Sequence, residues 1–294
     1  MNPHTDTLRT LLSGPELLLM PCCFDGLSAR LIEQAGFPLT FMSGFAVAAA
    51  RLAHPDTGLL SYGEILEQGR SILEAVTIPV IGDGDTGYGN PANVRRTVEG
   101  YARAGFAGIM IEDQRAPKRC GHTRGKEVVG RAEACARIRA AVDAREAGAD
   151  ILVMARTDAR GTHGLDEALW RMAAFADIGA DILFLEAPRD EAEMRQFCRS
   201  IPGPKMANLL EEGVTPILPP EQLVEMGYKI AAYPLTLLTA AVHAMREALA
   251  ELAMGRTPER RVNFDTMLDV VGFDTYTRMV AGYHSEKSED ADAM

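Results

Sequence analysis

The sequence lacks the cysteine pattern of a disulfide-stabilised or zinc-binding protein. Its five cysteines are odd in number, scattered, and match no zinc-ligand spacing. The sequence also lacks the roughly 20 consecutive apolar residues of a membrane-spanning helix, and residues 1–14 lack the basic-then-apolar pattern of a signal peptide. We therefore expect a protein of the reducing cytoplasm with no membrane partner.

The sequence also has no excess of basic residues over acidic ones. The chain has 30 Lys and Arg against 41 Asp and Glu, a formal net charge of −11. Surfaces that bind phosphate backbones are normally basic, so this balance argues against a nucleic-acid partner. A small anionic substrate is still compatible with it, because local cations and a metal set the field inside a pocket. The 294 residues, 47% of them hydrophobic, suffice for one large α/β domain.

Short apolar runs alternate along the chain with amphipathic segments, the pattern of strands that alternate with helices. Strands are predicted near residues 17–21, 39–43, 79–82, 108–111, 151–155, 181–185, 205–207 and 229–232. Helices are predicted between most of them, at residues 27–34, 62–75, 93–104, 132–145, 166–177 and 191–199. Gly36, Gly105 and Gly179 stand where a helix would end before the next strand. The pattern predicts a TIM-type (β/α)8 barrel, with a doubly wound sheet as the alternative.

The C-terminal part differs from this alternation. Residues 235–254 have the pattern of a long apolar helix, which is either the eighth barrel helix or a helix swapped to a partner subunit. We predict a catalytic barrel domain at residues 1–255 and a helical extension at 256–284. Residues 285–294 are acidic and poor in apolar side chains, which predicts a disordered tail.

Polar residues follow the predicted strands at the point where each strand ends. The seven are Asp25, Ser43, Asp83, Glu112, Arg156, Glu186 and Asn208. Active sites of TIM barrels lie at the carboxyl ends of the strands, so we expect these side chains to converge on one mouth. This convergence is a stronger sign of an active site than any single motif.

Two aspartates lie in a glycine-rich turn after the third predicted strand. Asp83 and Asp85 are two residues apart, so in an extended segment both side chains point the same way. Mg²⁺ prefers few carboxylates and several waters, and Glu112, Asp113 and Asp56 could hold outer waters. The turn therefore predicts a magnesium site. The alternative is that these acidic residues only cap turns.

The segment Lys118-Arg119-Cys120-Gly121-His122 places one thiol among cations and an imidazole. Nearby cations favour thiolate, which predicts a lowered pKa for Cys120 and proton exchange near neutral pH. The glycine-flanked stretch 121–125 predicts a lid that closes over the substrate. The alternative is an inert buried thiol.

Arg156 ends a predicted buried strand, where a guanidinium is costly unless it is paired. This position predicts a bidentate clamp on a substrate carboxylate, or else a structural ion pair with Glu186 or Asp158. Glu186 and Asn208 end two later strands, where they could hydrogen-bond a substrate hydroxyl or carboxylate.

Ser43 and Gly44 follow the second predicted strand. They offer a hydroxyl and backbone N–H groups of the kind that bind a carboxylate or an oxyanion. We therefore add both residues to the predicted substrate-binding set.

The motifs, in the order in which they occur along the chain, resemble those of the isocitrate lyase/phosphoenolpyruvate mutase superfamily. The resemblance covers the chain up to about residue 280. The matching landmarks lie at residues 43–44, 55–56, 83–89, 111–114, 117–122, 155–158, 184–187 and 207–208. The resemblance implies a Mg²⁺-dependent barrel enzyme, with Mn²⁺ as a substitute metal, and a homotetramer with a swapped C-terminal helix.

The resemblance also implies roles for the metal residues. Asp83 would hold the metal directly, whereas Asp56, Asp85 and Glu112 would hold its waters. Ser43, Gly44 and Arg156 would bind the α-keto-acid half of the substrate.

Cys120 marks the carbon–carbon lyase branch of the superfamily, where it would act as the proton donor. Lys118, Arg119 and His122 would position the second carboxylate of the substrate and tune the thiol.

Finer motifs bear on the substrate. Residues 82–85 and 122–126 look like those of 2,3-dimethylmalate and 2-alkylmalate lyases, which cleave a 2-hydroxy dicarboxylate to an α-keto acid such as pyruvate. Residues 209–213 depart from the Thr-Glu-Phe-Gly stretch of methylisocitrate lyases, which favours a dicarboxylate over a tricarboxylate. Phe41 replaces a Tyr that several lyases carry, and Phe cannot accept a proton. The alternatives are a carboxyphosphonoenolpyruvate mutase, which shares the loop around Cys120, a methylisocitrate lyase and an oxaloacetate-cleaving enzyme.

Overall fold

The structure is a computed structural model that describes residues 2–122 and 125–289. Contacts between Cα atoms divide the chain into two compact units, Met1–Thr239 and Ala240–Met294. The first unit holds all the strands found in the described part of the chain.

Eight parallel strands form the centre of the first unit. They are β1 Leu18–Cys23, β2 Thr40–Met42, β3 Val80–Asp83, β4 Gly108–Glu112, β5 Leu152–Thr157, β6 Ile182–Leu185, β7 Met206–Asn208 and β8 Ile230–Tyr233. Their hydrogen-bonded order is β6-β5-β4-β3-β2-β1-β8-β7. A parallel bridge between Leu183 and Lys205 links the two ends of this order. The predicted (β/α)8 barrel is confirmed and the doubly wound alternative is wrong. The first strand β1 pairs with the last strand β8, and the bridge between Leu183 and Lys205 joins the two ends of the strand order.

Helices separate the strands. They are α1 Pro3–Ser13, α2 Gly26–Gln34, α3 Gly44–Leu52, α4 Tyr62–Leu73, α5 Pro91–Ala104, α6 Arg131–Glu146, α7 Ala159–His163, α8 Leu165–Ile178, α9 Glu191–Ser200 and α10 Pro220–Met226. The three predicted helix-ending glycines adopt left-handed conformations, with φ of 84° at Gly36, 104° at Gly105 and 106° at Gly179. Glycine has no Cβ to penalise this conformation, so each residue turns the chain from its helix into the next strand.

The buried residues form two apolar clusters. One surrounds the strands and the inner faces of the helices, and its largest members include Tyr101, Phe106 and Phe175. The other contains side chains of the barrel strands such as Met20 and Phe184, with Leu8 of α1. The second cluster forms the apolar floor beneath the polar residues that end the strands.

Three further helices follow the barrel strands: α11 Thr236–Ala253, α12 Phe264–Val271 and α13 Phe273–Glu289. The boundary between the units falls inside α11, whereas we predicted the barrel domain to end at residue 255. Helix α13 enters the segment 285–294 that we predicted to be disordered, and residues 290–294 lie outside the described part of the chain. The predicted domain limits stay predictions. No helix in the described ranges is long and apolar enough to cross a membrane.

Candidate active site

A pocket opens at the carboxyl ends of the barrel strands. Its walls combine the strand-end residues Ser43, Asp83, Arg156, Glu186 and Asn208 with residues 118–122 of the loop after β4. The predicted convergence therefore holds for these five strand ends. Asp25 and Glu112 do not line the pocket. The side chain of Asp25 instead caps α2 by accepting a hydrogen bond of 2.7 Å from the backbone N–H of Ser28.

Asp83 lies at the end of β3 and is held by two backbone groups. The N–H of Gly44 donates to its Oδ2 at 3.2 Å and the N–H of Asp85 to its Oδ1 at 2.9 Å. A Cβ on Gly44 would lie 2.5 Å from Asp83 Oδ2, so this position requires glycine. The Gly44 N–H that we predicted for substrate thus positions Asp83. Burial, with Asp85 and Asp56 nearby, raises the pKa of Asp83 to about 7.

Lys118 lies between two other predicted metal residues. Its Nζ is 2.7 Å from Asp56 Oδ2 and 2.7 Å from Asp85 Oδ1. Burial alone would lower the pKa of Lys118, but the surrounding carboxylates raise it well above the ordinary value. The ammonium therefore stays charged and balances the acidic cluster, rather than acting on the thiol as we predicted.

Glu112 completes the acidic group. It is 2% exposed, and its Oε1 has no hydrogen-bond partner. Burial raises its pKa well above the ordinary value. Within residues 2–122 and 125–289, no three acidic, His or Cys side chains converge as a direct ligand set. The donors fit a hard cation held by few carboxylates and several waters, which is the coordination that Mg²⁺ favours.

Asp113 does not belong to this group, although we predicted it as an outer ligand. Its Oδ2 accepts from Thr157 at 2.5 Å and from Arg171 at 3.0 Å, and its Oδ1 accepts from the backbone N–H of Asp158 at 2.9 Å. These bonds direct the carboxylate into a buried network that holds the end of β5.

Arg156 lines the pocket and is ion-paired at the same time. Its Nε and Nη2 donate to Asp158 at 2.8 and 3.1 Å, and its Nη2 lies 3.0 Å from Glu186 Oε2. Its Nε is also 3.3 Å from Glu112 Oε2. The predicted ion pairs with Asp158 and Glu186 are confirmed. Arg156 still lines the pocket, and its predicted clamp on a substrate carboxylate stays a prediction.

His122 joins the loop to the end of β6 and β7. The backbone N–H of Val214 donates to its Nδ1 at 3.1 Å, and its Nε2 lies 3.2 Å from Glu186 Oε1. An Nδ1 that accepts requires the proton on Nε2, so the imidazole donates to Glu186. Asn208 also donates to Glu186, at 3.2 Å. Burial would raise the pKa of Glu186, but Arg156 and His122 lower it strongly.

The environment of Cys120 contradicts the predicted thiolate. Burial is the largest effect and raises the pKa of the thiol, while the His122 N–H and Arg156 lower it less. The neighbouring lysines are occupied by carboxylates: Lys118 by Asp56 and Asp85, and Lys126 by Asp158 at 3.0 Å. The thiol form is therefore favoured over the thiolate that we predicted. A neutral thiol that faces a pocket can donate a proton.

Arg119 also lines the pocket. Thr123 and Arg124 lie outside the described residues, so the lid at 121–125 stays a prediction. Three apolar wall residues were missed by sequence reasoning: Phe45, Leu210 and Leu235. A signal existed for Leu210, since residues 209–213 depart from the methylisocitrate lyase pattern.

The fold and the site together define an α/β-barrel enzyme with a pocket of charged residues at the strand ends. The chain belongs to the phosphoenolpyruvate phosphomutase family, whose model matches residues 8–253. A 2,3-dimethylmalate lyase of Eubacterium barkeri is 40% identical over 280 residues, which cover 94% of this chain and 96% of the relative.

Two solved structures are similar to this chain over nearly its whole length. An oxaloacetate acetylhydrolase in complex with the inhibitor 3,3-difluorooxalacetate has a TM-score of 0.91 and 36% identity, with 96% of this chain and 97% of that chain covered. A phosphonopyruvate hydrolase in complex with oxalate and Mg²⁺ has a TM-score of 0.84 and 32% identity, with 95% and 98% covered.

Proposed function

We propose that the protein is a Mg²⁺-dependent carbon–carbon lyase for a 2-hydroxy dicarboxylate of the 2,3-dimethylmalate or 2-alkylmalate type. The products are an α-keto acid such as pyruvate and a carboxylate. The observation that carries the proposal is the Cys120 thiol in the same pocket as Arg156 and Asp83, where burial raises the pKa of the thiol. The name of the relative, a 2,3-dimethylmalate lyase, supports the same class of reaction.

The metal fits the acidic group described above. Asp83 would hold Mg²⁺ directly, and Asp56, Asp85 and Glu112 would hold its waters. When bound, the ion would supply Lewis-acid polarisation of the substrate C2 hydroxyl and the adjacent carboxylate. Mn²⁺ offers the same chemistry and could replace it.

Arg156 and Ser43 bind the α-keto-acid half. The guanidinium of Arg156 faces the pocket with its charge oriented by Asp158 and Glu186. The Oγ of Ser43 accepts from Ala46 N–H at 3.3 Å as the cap of α3, which leaves its hydroxyl proton free to donate to a carboxylate oxygen.

Cleavage breaks the bond between C2 and C3 as the C2 hydroxyl gives its proton to water. C2 becomes the carbonyl of the α-keto acid, and the electron pair of the bond moves to C3. The thiol of Cys120 gives its proton to C3, which releases the second product as a carboxylate. Solvent then returns a proton to the thiolate. Arg119 positions the second carboxylate from the loop, and His122 holds the loop against Glu186.

The apolar wall of Phe45, Leu210 and Leu235 supports an alkyl substituent on the substrate. An alkyl group can bury against these side chains, whereas the third carboxylate of a methylisocitrate would be desolvated there at a cost. This observation favours the dicarboxylate over the tricarboxylate.

We also propose a cytoplasmic homotetramer. The second unit exposes large apolar side chains, Phe264, Phe273, Tyr276, Met279 and Tyr283 among them. A concentration of large exposed apolar side chains in one unit is typical of an association face. Light scattering after size exclusion tests the mass, and a monomer at micromolar concentration would contradict the proposal.

The test of the function is release of pyruvate, coupled to lactate dehydrogenase, from 2,3-dimethylmalate, 2-alkylmalates, 2-methylisocitrate and oxaloacetate. Each is assayed with Mg²⁺ and with EDTA, and oxalate and other keto acids are measured by chromatography. Metal-dependent cleavage of an alkylated malate supports the proposal. No product from any substrate contradicts it and favours the phosphonate rearrangement that the family name denotes, which phosphorus NMR would detect.

A further inference from the structure

Lys126 is a buried cation that the proposed chemistry leaves without a role. Its side chain is 7% exposed, and its Nζ lies 3.0 Å from Asp158 Oδ1. The same Nζ donates a hydrogen bond to the backbone carbonyl of Gly121. A buried ammonium needs such partners to offset the loss of its hydration.

Both partners of Lys126 contact Arg156. Asp158 accepts two hydrogen bonds from the guanidinium. Gly121 packs so closely that a Cβ added to it would lie 2.4 Å from Arg156 Nη2 and 2.5 Å from Glu186 Oε2. One ammonium thus joins the Cys120 loop to the carboxylate that orients the substrate-binding guanidinium.

The loop is anchored on the other side of the thiol by Gln114, which is fully buried after β4. Its side-chain amide donates to the Arg119 carbonyl at 2.8 Å and accepts from the Arg119 N–H at 2.9 Å. Cys120 therefore lies between two fixed backbone groups, those of Arg119 and Gly121. The Lys126 anchor connects the loop to Asp158, the carboxylate that orients the guanidinium.

We propose that Lys126 is a positioning residue that locks the loop onto the Arg156–Asp158 pair and so holds the Cys120 thiol over the pocket. Its effect on turnover rests on the proposed lyase reaction, but its effect on the loop does not. A proton donor that is displaced by about 1 Å can lose on the order of a hundredfold in rate.

Two variants test this role from opposite directions. Lys126→Met keeps most of the apolar stem and removes the ammonium. Gly161→Ala keeps the ammonium and displaces it, because the added Cβ would lie 2.8 Å from Lys126 Cε. Lys205→Met is the matched control, since Lys205 is also buried but bonds the Gly203 carbonyl, outside the pocket.

The first readout is the rate at which iodoacetamide labels Cys120 in the metal-free enzyme, followed by mass spectrometry of the Cys120 peptide. We expect both variants to label several times faster than wild type, and the control to match wild type. If Lys126→Met only removed a nearby positive charge and did not release the loop, labelling would slow, because the loss of the charge disfavours the Cys120 thiolate. Slower or unchanged labelling in both variants would overturn the proposal.

The second readout is steady-state kinetics on the best alkylmalate, with thermal unfolding of every variant as the check on folding. We expect kcat to fall about 10- to 100-fold in Lys126→Met, with KM within about threefold. If both variants label faster and the wild-type protein has no lyase activity, the anchor is upheld and the lyase is refuted. Full kcat in both variants of an active lyase would refute the anchor alone.

Discussion

Arg156 and Asp158 form a bidentate ion pair inside the barrel mouth, with donor–acceptor distances of 2.8 and 3.1 Å. Burial alone would raise the pKa of Asp158, but Arg156 and Lys126 lower it. The pair matters because it fixes the direction of the guanidinium before a substrate arrives. A clamp that is already oriented loses less side-chain entropy on binding.

Removal of the Asp158 charge should destabilise the fold. Asp158→Asn leaves Arg156 and Lys126 as incompletely compensated buried cations, so we expect the free energy of unfolding to fall by about 3–5 kcal/mol. Urea denaturation measures the loss. Glu99→Gln is the control, because its partners Arg95 and Arg103 lie on the surface, where a pair contributes less than about 1 kcal/mol. Equal losses in the two variants would contradict this account of the pair.

Removal of the Cys120 proton donor should separate turnover from binding. In Cys120→Ser the hydroxyl is a much weaker acid than a thiol, so we expect kcat to fall by about 10²–10⁴. Affinity for oxalate with Mg²⁺ should stay within about twofold, because Arg156 and Asp83 are unchanged. Calorimetry of oxalate binding and the coupled assay check the two values. A parallel loss of affinity and turnover would refute the proton-donor role.

The pH dependence of Cys120 labelling should report its raised pKa. Iodoacetamide attacks the thiolate, so the labelling rate rises with pH as the thiol loses its proton. Since burial raises this pKa, we expect the midpoint to lie above that of a free cysteine. Labelling of the metal-free protein between pH 6 and 10 measures it, with a short cysteine peptide as reference. A midpoint below the reference would show that the thiolate prediction was right after all.

A methyl group on Gly44 should weaken metal binding. In Gly44→Ala the new Cβ would approach Asp83 Oδ2 to 2.5 Å and displace the carboxylate. We expect the Mg²⁺ concentration for half-maximal activity to rise about 10- to 100-fold, as for other changes that disturb ligand orientation. Gly130→Ala is the control, because a Cβ at Gly130 has no neighbour within 4 Å. An unchanged Mg²⁺ requirement in Gly44→Ala would argue against Asp83 as the direct ligand.

The sequence predicted those parts of the protein that depend on neighbouring residues or on strand order. Gly36, Gly105 and Gly179 end their helices as expected, because a left-handed residue is a local requirement. The polar residues that end β2, β3, β5, β6 and β7 share one pocket because parallel strands of a barrel end at the same rim.

Only the tertiary structure decided how the charges are paired. Cys120 is flanked in sequence by cations, yet Lys118 pairs with Asp56, which lies far along the chain, and Lys126 pairs with Asp158. The thiol is thereby left in a buried environment that raises its pKa. Asp25 and Asp113 do not belong to the predicted site either. Asp25 caps helix α2, and Asp113 pairs with Arg171, which is distant in the sequence. A sequence states which charges exist, but electrostatic energies depend on distance and burial, and these are set by the packing of the barrel.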